Sequence, residues 1–186
     1  MSVFPKPYAD RVARLRVTTG FLLAAAFAWW SQPDVGSLAW GLPLSVLGLL
    51  LRGWAAGHLE KNIRLAVGGP YAYVRNPLYL GTLFVAAGLV VASRRWLLAL
   101  LFALVFGLIY LPAIELEEQH LRSLFPDFAD YAQRVPALWP VWKTSTPTPA
   151  RFRWPLYLHN REYQALLGFL AGAALLIAKV LVLQRR

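Results

Sequence analysis

Residues 96–114 read WLLALLFALVFGLIYLPAI, a stretch from Trp96 to Ile114 without one ionised side chain, followed at once by Glu115-Leu116-Glu117-Glu118-Gln119-His120. An apolar run of this length is a helix that faces lipid or the core of a helical bundle. Pro112 falls inside it. With no N–H to donate and a ring that clashes with the preceding turn, it predicts a kink about one turn earlier, after which the helix runs on through the glutamates. Three further stretches carry no charge: Val17–Trp30, Leu38–Leu51 and Leu78–Ala92.

Outward from that run, apolar periodicity predicts five helices over about residues 14–31, 37–57, 78–93, 96–117 and 163–183. The third, at about sixteen residues, is shorter than the ~20 that cross hydrocarbon. With Arg94-Arg95 between it and the fourth, it reads as one arm of a tight hairpin. Gly168 and Gly172 have the GxxxG spacing that permits close helix contact. Residues 126–160, with repeated prolines and several aromatics, predict an ordered cap on the membrane surface rather than a long helix.

The 186 residues are 58% hydrophobic and 15% charged, which excludes a soluble globular domain and predicts an all-α integral membrane protein with about five transmembrane helices. The formal net charge of +10 sits at the ends of apolar runs. It therefore predicts membrane lipids as partners and no nucleic acid. Cysteine is absent, which removes disulfides, thiolate metal sites and a thiol nucleophile.

The N-terminal pattern of Lys6, Arg11, Arg14 and Arg16, an apolar stretch and Ala26-Phe27-Ala28 resembles a signal peptide. Trp29-Trp30 directly after it reads as an interfacial anchor, so an uncleaved first span is expected. If five spans alternate, the basic N-terminal arm, the 52–77 connection and residues 118–162 share one side, expected to be cytoplasmic. Arg94-Arg95 and Arg185-Arg186 count against that orientation.

The most structured polar stretch is Gly68-Gly69-Pro70-Tyr71-Ala72-Tyr73-Val74-Arg75-Asn76-Pro77-Leu78-Tyr79-Leu80-Gly81. Asn76 followed by Pro77 is a helix-start signal, and the positive end of the helix beginning there suits a carboxylate or phosphate. The competing reading makes Arg75, Tyr71, Tyr73 and Tyr79 anchors at headgroup level. Glu115, Glu117 and Glu118 form the second polar cluster, at the membrane end of a helix, where acidic groups are costly without partners. Glu115, Glu118 and Arg122 share a helix face, so an internal ion pair is the simpler account of one of them. Glu117-x-x-His120 has the spacing of di-iron bundles, but those need a second such motif and two further carboxylates; no metal site is expected. His58 and His159 read as interfacial or hydrogen-bonded residues.

Taken together the clusters resemble the isoprenylcysteine carboxyl methyltransferase and phospholipid methyltransferase superfamily of integral membrane enzymes. The resemblance covers about residues 45–142: Leu51-Arg52-x-Trp54-Ala55, Gly69-Pro70-Tyr71, Val74-Arg75-Asn76-Pro77-x-Tyr79-x-Gly81 and Glu117-Glu118-x-x-Leu121. Phe125, Tyr131, Arg134-Val135-Pro136 and Trp139-Pro140 follow. It implies a core over 1–162, with an additional C-terminal helix over 163–186, and an S-adenosylmethionine pocket at the cytoplasmic face, expected to be that of a bacterial inner membrane. It also implies methyl transfer to a lipid-like acceptor, a carboxylate or an amine. Tyr71, Asn76, Pro77, Tyr79 and Glu118 would contact the cofactor, with Arg75 and Glu117 nearer the acceptor. The family usually has His where this chain has Asn76, so either the amide supplies that contact or cofactor binding is weakened. Residues 151–186, which include Asn160-Arg161-Glu162-Tyr163 and the last span, lie outside the shared core and are candidates for setting the substrate. Two alternatives stand beside this reading: a nicotinamide-dependent reductase of sterol-reductase type, and a non-catalytic membrane protein that keeps the fold. Neither the acceptor nor the oligomeric state follows from the sequence.

Overall fold

The computed structural model describes residues 6–141 and 150–183; Trp142, at the edge of the resemblance, and Arg185-Arg186 lie outside them. Among the described residues every regular element is a helix: α1 (Lys6–Trp30), α2 (Val35–Ala56), a 3₁₀ turn (Gly69–Ala72), α3 (Pro77–Ser93) and α4 (Trp96–Val105). A π turn (Phe106–Tyr110) follows, then α5 (Leu111–Leu124), α6 (Phe128–Arg134), α7 (Trp154–His159) and α8 (Tyr163–Leu183). Three segments are long and apolar enough to cross a membrane, Val35–Ala56, the continuous Trp96–Leu124 and Tyr163–Val182. Thr18–Trp30 and Pro77–Ser93 are shorter apolar helices. The protein is an all-α integral membrane protein. At 17 residues α3 rises roughly 26 Å, just under a ~30 Å hydrocarbon core.

The kink expected from Pro112 takes the form of the π turn that ends at Tyr110, one residue before α5. Pro112 cannot donate to the carbonyl four residues back, that of Leu108, and the Tyr8 hydroxyl on α1 donates to that oxygen instead at 2.8 Å. The hairpin expected at Arg94-Arg95 is equally direct. Ser93 ends α3 and Trp96 begins α4, and Arg94 turns the chain in the left-handed region, at φ 53°.

The chain divides into two compact units. Unit 1 comprises residues 1–43, 86–120 and 171–186, and unit 2 residues 44–85 and 121–170. In unit 1, Asp34 and Ser37 form a reciprocal cap at the start of α2: Ser37 N donates to Asp34 Oδ1 at 2.6 Å, and Asp34 N to Ser37 Oγ at 3.0 Å. Arg94 pairs with the same Asp34 carboxylate, and Arg95 Nε donates to the Trp30 carbonyl at 3.1 Å. Lys179, in the apolar α8, donates to Ser31 O at 2.9 Å and Ser31 Oγ at 3.0 Å, beyond the C-terminal end of α1. A cation there complements the negative end of the helix. Gly41 lets α2 approach α3, since a Cβ on it would stand 2.4 Å from Gly88 O.

In unit 2, Gly48 and Gly81 make the corresponding approach: a Cβ on Gly48 would lie 2.5 Å from Gly81 O, and one on Gly81 would lie 2.5 Å from Arg52 Cγ. Arg52 is half-buried beside that contact. Its Nε and Nη2 meet Glu162 Oε1 and Oε2 at 2.5 and 3.0 Å, and Nη1 reaches Thr82 Oγ1 at 2.5 Å and Leu78 O at 3.2 Å. Asn160 Nδ2 bonds the carbonyls of Ala56 and Leu59, both at 2.9 Å, closing the C-terminal end of α2. As expected, the described residues of 126–160 form only short helices, α6 and α7. Phe128 and Tyr131 of α6 and Val135 just after it make a small core with Leu65, Val67 and Leu121. Among the described residues the GxxxG of α8 meets no close neighbour: a Cβ at Gly168 or Gly172 has nothing within 4 Å.

Candidate functional site

The 3₁₀ turn and the start of α3 enclose a loop of irregular backbone, and such backbone at a membrane boundary must find hydrogen-bond partners. It finds them in the segment after α6. Arg75 N donates to Pro136 O at 2.9 Å, Asn76 N to Ala137 O at 3.1 Å, and Val141 N to Tyr73 O at 3.0 Å. Two side chains add to the clamp. Tyr131 OH donates to Tyr71 O at 2.7 Å, and Arg75 Nη1 to Ala132 O at 2.6 Å. At the turn's first residue, Gly69, φ is +59° and the His58 ring sits 2.6 Å from where a Cβ would be, so both conformation and space require glycine.

Asn76 is 8% exposed, and its side-chain amide donates to Ala137 O at 3.3 Å. Its backbone carbonyl accepts from Leu80 N at 3.0 Å, the first bond of α3. Tyr71 and Pro77 are buried, Arg75 and Tyr79 half-buried, and Tyr73 is exposed beside Trp54, with ring centroids 6.5 Å apart. The anchor reading therefore fits Tyr73 and not Tyr71. Tyr71, Arg75, Asn76, Pro77 and Tyr79 all lie in unit 2.

Glu115, Glu117 and Glu118 are half-buried on α5 in unit 1, where Gln119 Nε2 donates to Glu115 Oε1 at 3.4 Å. Arg122, weighed as an internal ion-pair partner, places its guanidinium 5.4 Å from the Phe128 ring centre. His58 is hydrogen-bonded as expected, its ring nitrogens facing Trp54 O at 2.8 Å and Ala150 O at 3.2 Å.

Sequence reasoning left two contributors without a partner. Residues 131–141, part of the expected surface cap and of the family resemblance, hold the loop. Arg52 and Glu162 were each noted, and their pairing was not. A cavity of about 530 Å³ lies beside Tyr131, with Phe125, Asp127, Asp130 and Arg134 on its wall. That volume is within the range of small-molecule sites, ~300–1,000 Å³.

Fold and loop thus define a class: a helical membrane protein that fixes a buried loop at the start of a membrane-embedded helix. The sequence profile of the phospholipid methyltransferase family matches residues 38–127. The chain is 30% identical over 138 residues to the protein-S-isoprenylcysteine O-methyltransferase of Schizosaccharomyces pombe, covering 71% of this chain and 58% of that one. It is 34% identical over 140 residues to the cobalt-zinc-cadmium resistance protein CzcN of Cupriavidus metallidurans (70% and 63%). It is 36% identical over 143 residues to the nickel-cobalt-cadmium resistance protein NccN of Alcaligenes xylosoxydans xylosoxydans (70% and 64%). The chain belongs to the isoprenylcysteine carboxyl methyltransferase and phospholipid methyltransferase superfamily of membrane proteins. It spans less than two thirds of the length of each of these relatives. No solved structure matches it.

Proposed function

We propose that the chain is an S-adenosylmethionine-dependent methyltransferase acting on a lipophilic acceptor, a carboxylate or an amine, at the cytoplasmic face of a bacterial inner membrane. The observation that carries this reading is the clamped start of α3. Three backbone and three side-chain hydrogen bonds hold residues 71–76, so the positive end of a 17-residue helix is fixed in place with Tyr79 in its first turn. Superfamily membership is independent support.

The residues present fit the cofactor's chemistry. A helix start suits its carboxylate, half-buried glutamates suit its cationic groups, and Tyr71 and Tyr79 offer aromatic faces. When bound, S-adenosylmethionine supplies an electrophilic methyl group on a sulfonium. In this reading Tyr71, Asn76, Pro77, Tyr79 and Glu118 hold the cofactor, with Asn76 acting through the loop it ties to Ala137. Arg75 orients a carboxylate acceptor, or Glu117 takes the proton of an amine. Positioning and exclusion of water contribute more than strong acid–base chemistry, because charge disperses as the methyl group moves.

Orientation follows the basic flanks, with Lys61, Arg64, Arg134, Arg151 and Arg153 on the cytoplasmic side. Arg94 and Arg95, which counted against it, build the turn between α3 and α4 through Asp34 and Trp30 O.

The test is calorimetric titration of the detergent-solubilised protein with S-adenosylhomocysteine. Binding is expected, weakened about tenfold or more by Glu118→Gln and by Tyr79→Ala. Arg75→Ala is expected to lower turnover of lipid extract with labelled cofactor while leaving that affinity in place. No binding by the unaltered protein would overturn the proposal. Unchanged affinity in both Glu118→Gln and Tyr79→Ala would overturn the residue assignment.

A further inference from the structure

A second cavity in unit 2, about 330 Å³, lies between the end of α2 and the start of α7 and includes none of residues 71–79. Its lining residues include three arginines, Arg64, Arg151 and Arg153, and one acidic residue, Glu60. Glu60 Oε1 takes both Arg153 Nη1 at 2.6 Å and Arg64 Nη2 at 3.2 Å. One oxygen therefore draws two guanidiniums together while cancelling only one charge, and Arg151 adds a third arginine to the lining. Charges of +3 and −1 leave the cavity at +2.

Guanidinium forks that converge on one space match the oxygens of a phosphate, singly or bidentately. The surroundings say which phosphate. Phe152 and Trp154, beside the arginines in sequence, are exposed, Trp154 at 66%, and their rings meet edge to face with centroids 5.3 Å apart. Ile63, Trp54 and Leu158 are exposed as well. Large aromatic and aliphatic side chains left open around a cationic cavity, on an integral membrane protein, mark the level where acyl chains give way to headgroups.

We propose that this cavity is a binding site for the phosphodiester of an anionic membrane lipid. Arg64, Arg151 and Arg153 hold the phosphate, and the exposed rings of Phe152 and Trp154 rest on the lipid around it. The site holds a lipid whether or not that lipid is a methyl acceptor, and its test uses no methyl transfer.

The full chain in detergent at 0.15 M salt is titrated with short-chain phosphatidylglycerol, short-chain phosphatidylcholine and inorganic phosphate, and bound species are counted by native mass spectrometry. Phosphatidylglycerol is expected to bind tightest. Arg151→Gln, which breaks no ion pair with Glu60, is expected to weaken it about tenfold or more, and Arg151→Lys to restore most of the loss. Arg134→Gln, which removes the same charge away from this cavity, is expected to stay within about twofold, since distant charges are screened at that salt. Equal losses in Arg151→Gln and Arg134→Gln would overturn the site, leaving only general attraction to a basic protein. Inorganic phosphate binding as tightly as the lipid, or phosphatidylcholine matching phosphatidylglycerol, would overturn the assignment to an anionic lipid.

Discussion

Replacing Glu162 by alanine removes one half of the bidentate pair at Arg52. The carboxylate is 8% exposed and the Arg52 side chain 22%, so little water reaches either. With Glu162 gone, the guanidinium keeps Thr82 Oγ1 and Leu78 O but loses its acceptors on Nε and Nη2. Breaking a buried pair from one side costs about 3–5 kcal/mol. The residual exposure of Arg52 and its two remaining partners place the expected cost near the lower end, about 3 kcal/mol. For a chain of this size that is a fall in melting temperature of roughly 6–12 °C. Tryptophan fluorescence of the protein in detergent reads it, for Glu162→Ala, Arg52→Met and the double variant. The double variant is expected to lose much less than the sum of the two single losses, because each single change already abolishes the pair. A shift below about 2 °C for Glu162→Ala, or strictly additive losses in the cycle, would refute the reasoning and leave the pair as a contact of no energetic weight.

Glycine substitutions separate the two small-residue patterns: Gly48→Ala, whose Cβ would stand 2.5 Å from Gly81 O, is expected to lose about 1–3 kcal/mol in the same melt. Gly168→Ala, with open space around it, is expected to be neutral or slightly stabilising, since alanine favours the helix by up to ~1 kcal/mol. Asp34 has its carboxyl held below the ordinary aspartate range, first by the backbone N–H of Ser37, which outweighs the opposing effect of desolvation, with smaller help from the Arg94 charge and the Ser37 hydroxyl. A depressed folded value means that its stabilisation is complete above the ordinary value of about 3.9 and is lost as pH falls through and below it. Melts from pH 6 to pH 3 are expected to fall less steeply for Asp34→Asn than for the unaltered protein. Tyr8→Phe strips the hydroxyl from Leu108 O and is expected to cost about 1 kcal/mol, readable by the same melt.

Much of the helix layout was legible because bilayer-length apolar runs and prolines leave strong local marks. Trp96–Ile114 and Pro112 announced the span and its break, and Arg94-Arg95 the turn. The helix expected to run on through the glutamates after Pro112 does so, as α5. Backbone pairing was illegible altogether, since Arg75 N to Pro136 O and Val141 N to Tyr73 O involve atoms every residue has. Only the prolines at 136 and 140, which keep that stretch out of a helix, hinted at it. Arg52 and Glu162 are 110 residues apart, beyond the reach of any local pattern. The GxxxG spacing on α8 specifies a small face and not what lies opposite, whereas Gly48 and Gly81, in no named motif, make a tight contact. Of the candidate site, the loop at Tyr71–Tyr79 stood out through its glycines and prolines, but not the α6 residues that fasten it.

The distance in sequence between Arg52 and Glu162 also sets a schedule for biosynthesis. α2 is made with its cation already in place, and 110 more residues must be translated before the partner exists. At ~5–20 residues per second, that is roughly 5 to 20 seconds of an uncompensated charge near the end of an apolar segment. Until then the nascent chain must keep Arg52 solvated at the bilayer surface or lodged in the insertion machinery. Withdrawal of that guanidinium to Glu162 is then a late, committing event, and chains stalled before residue 162 would display a basic, unsettled α2 to quality-control proteases.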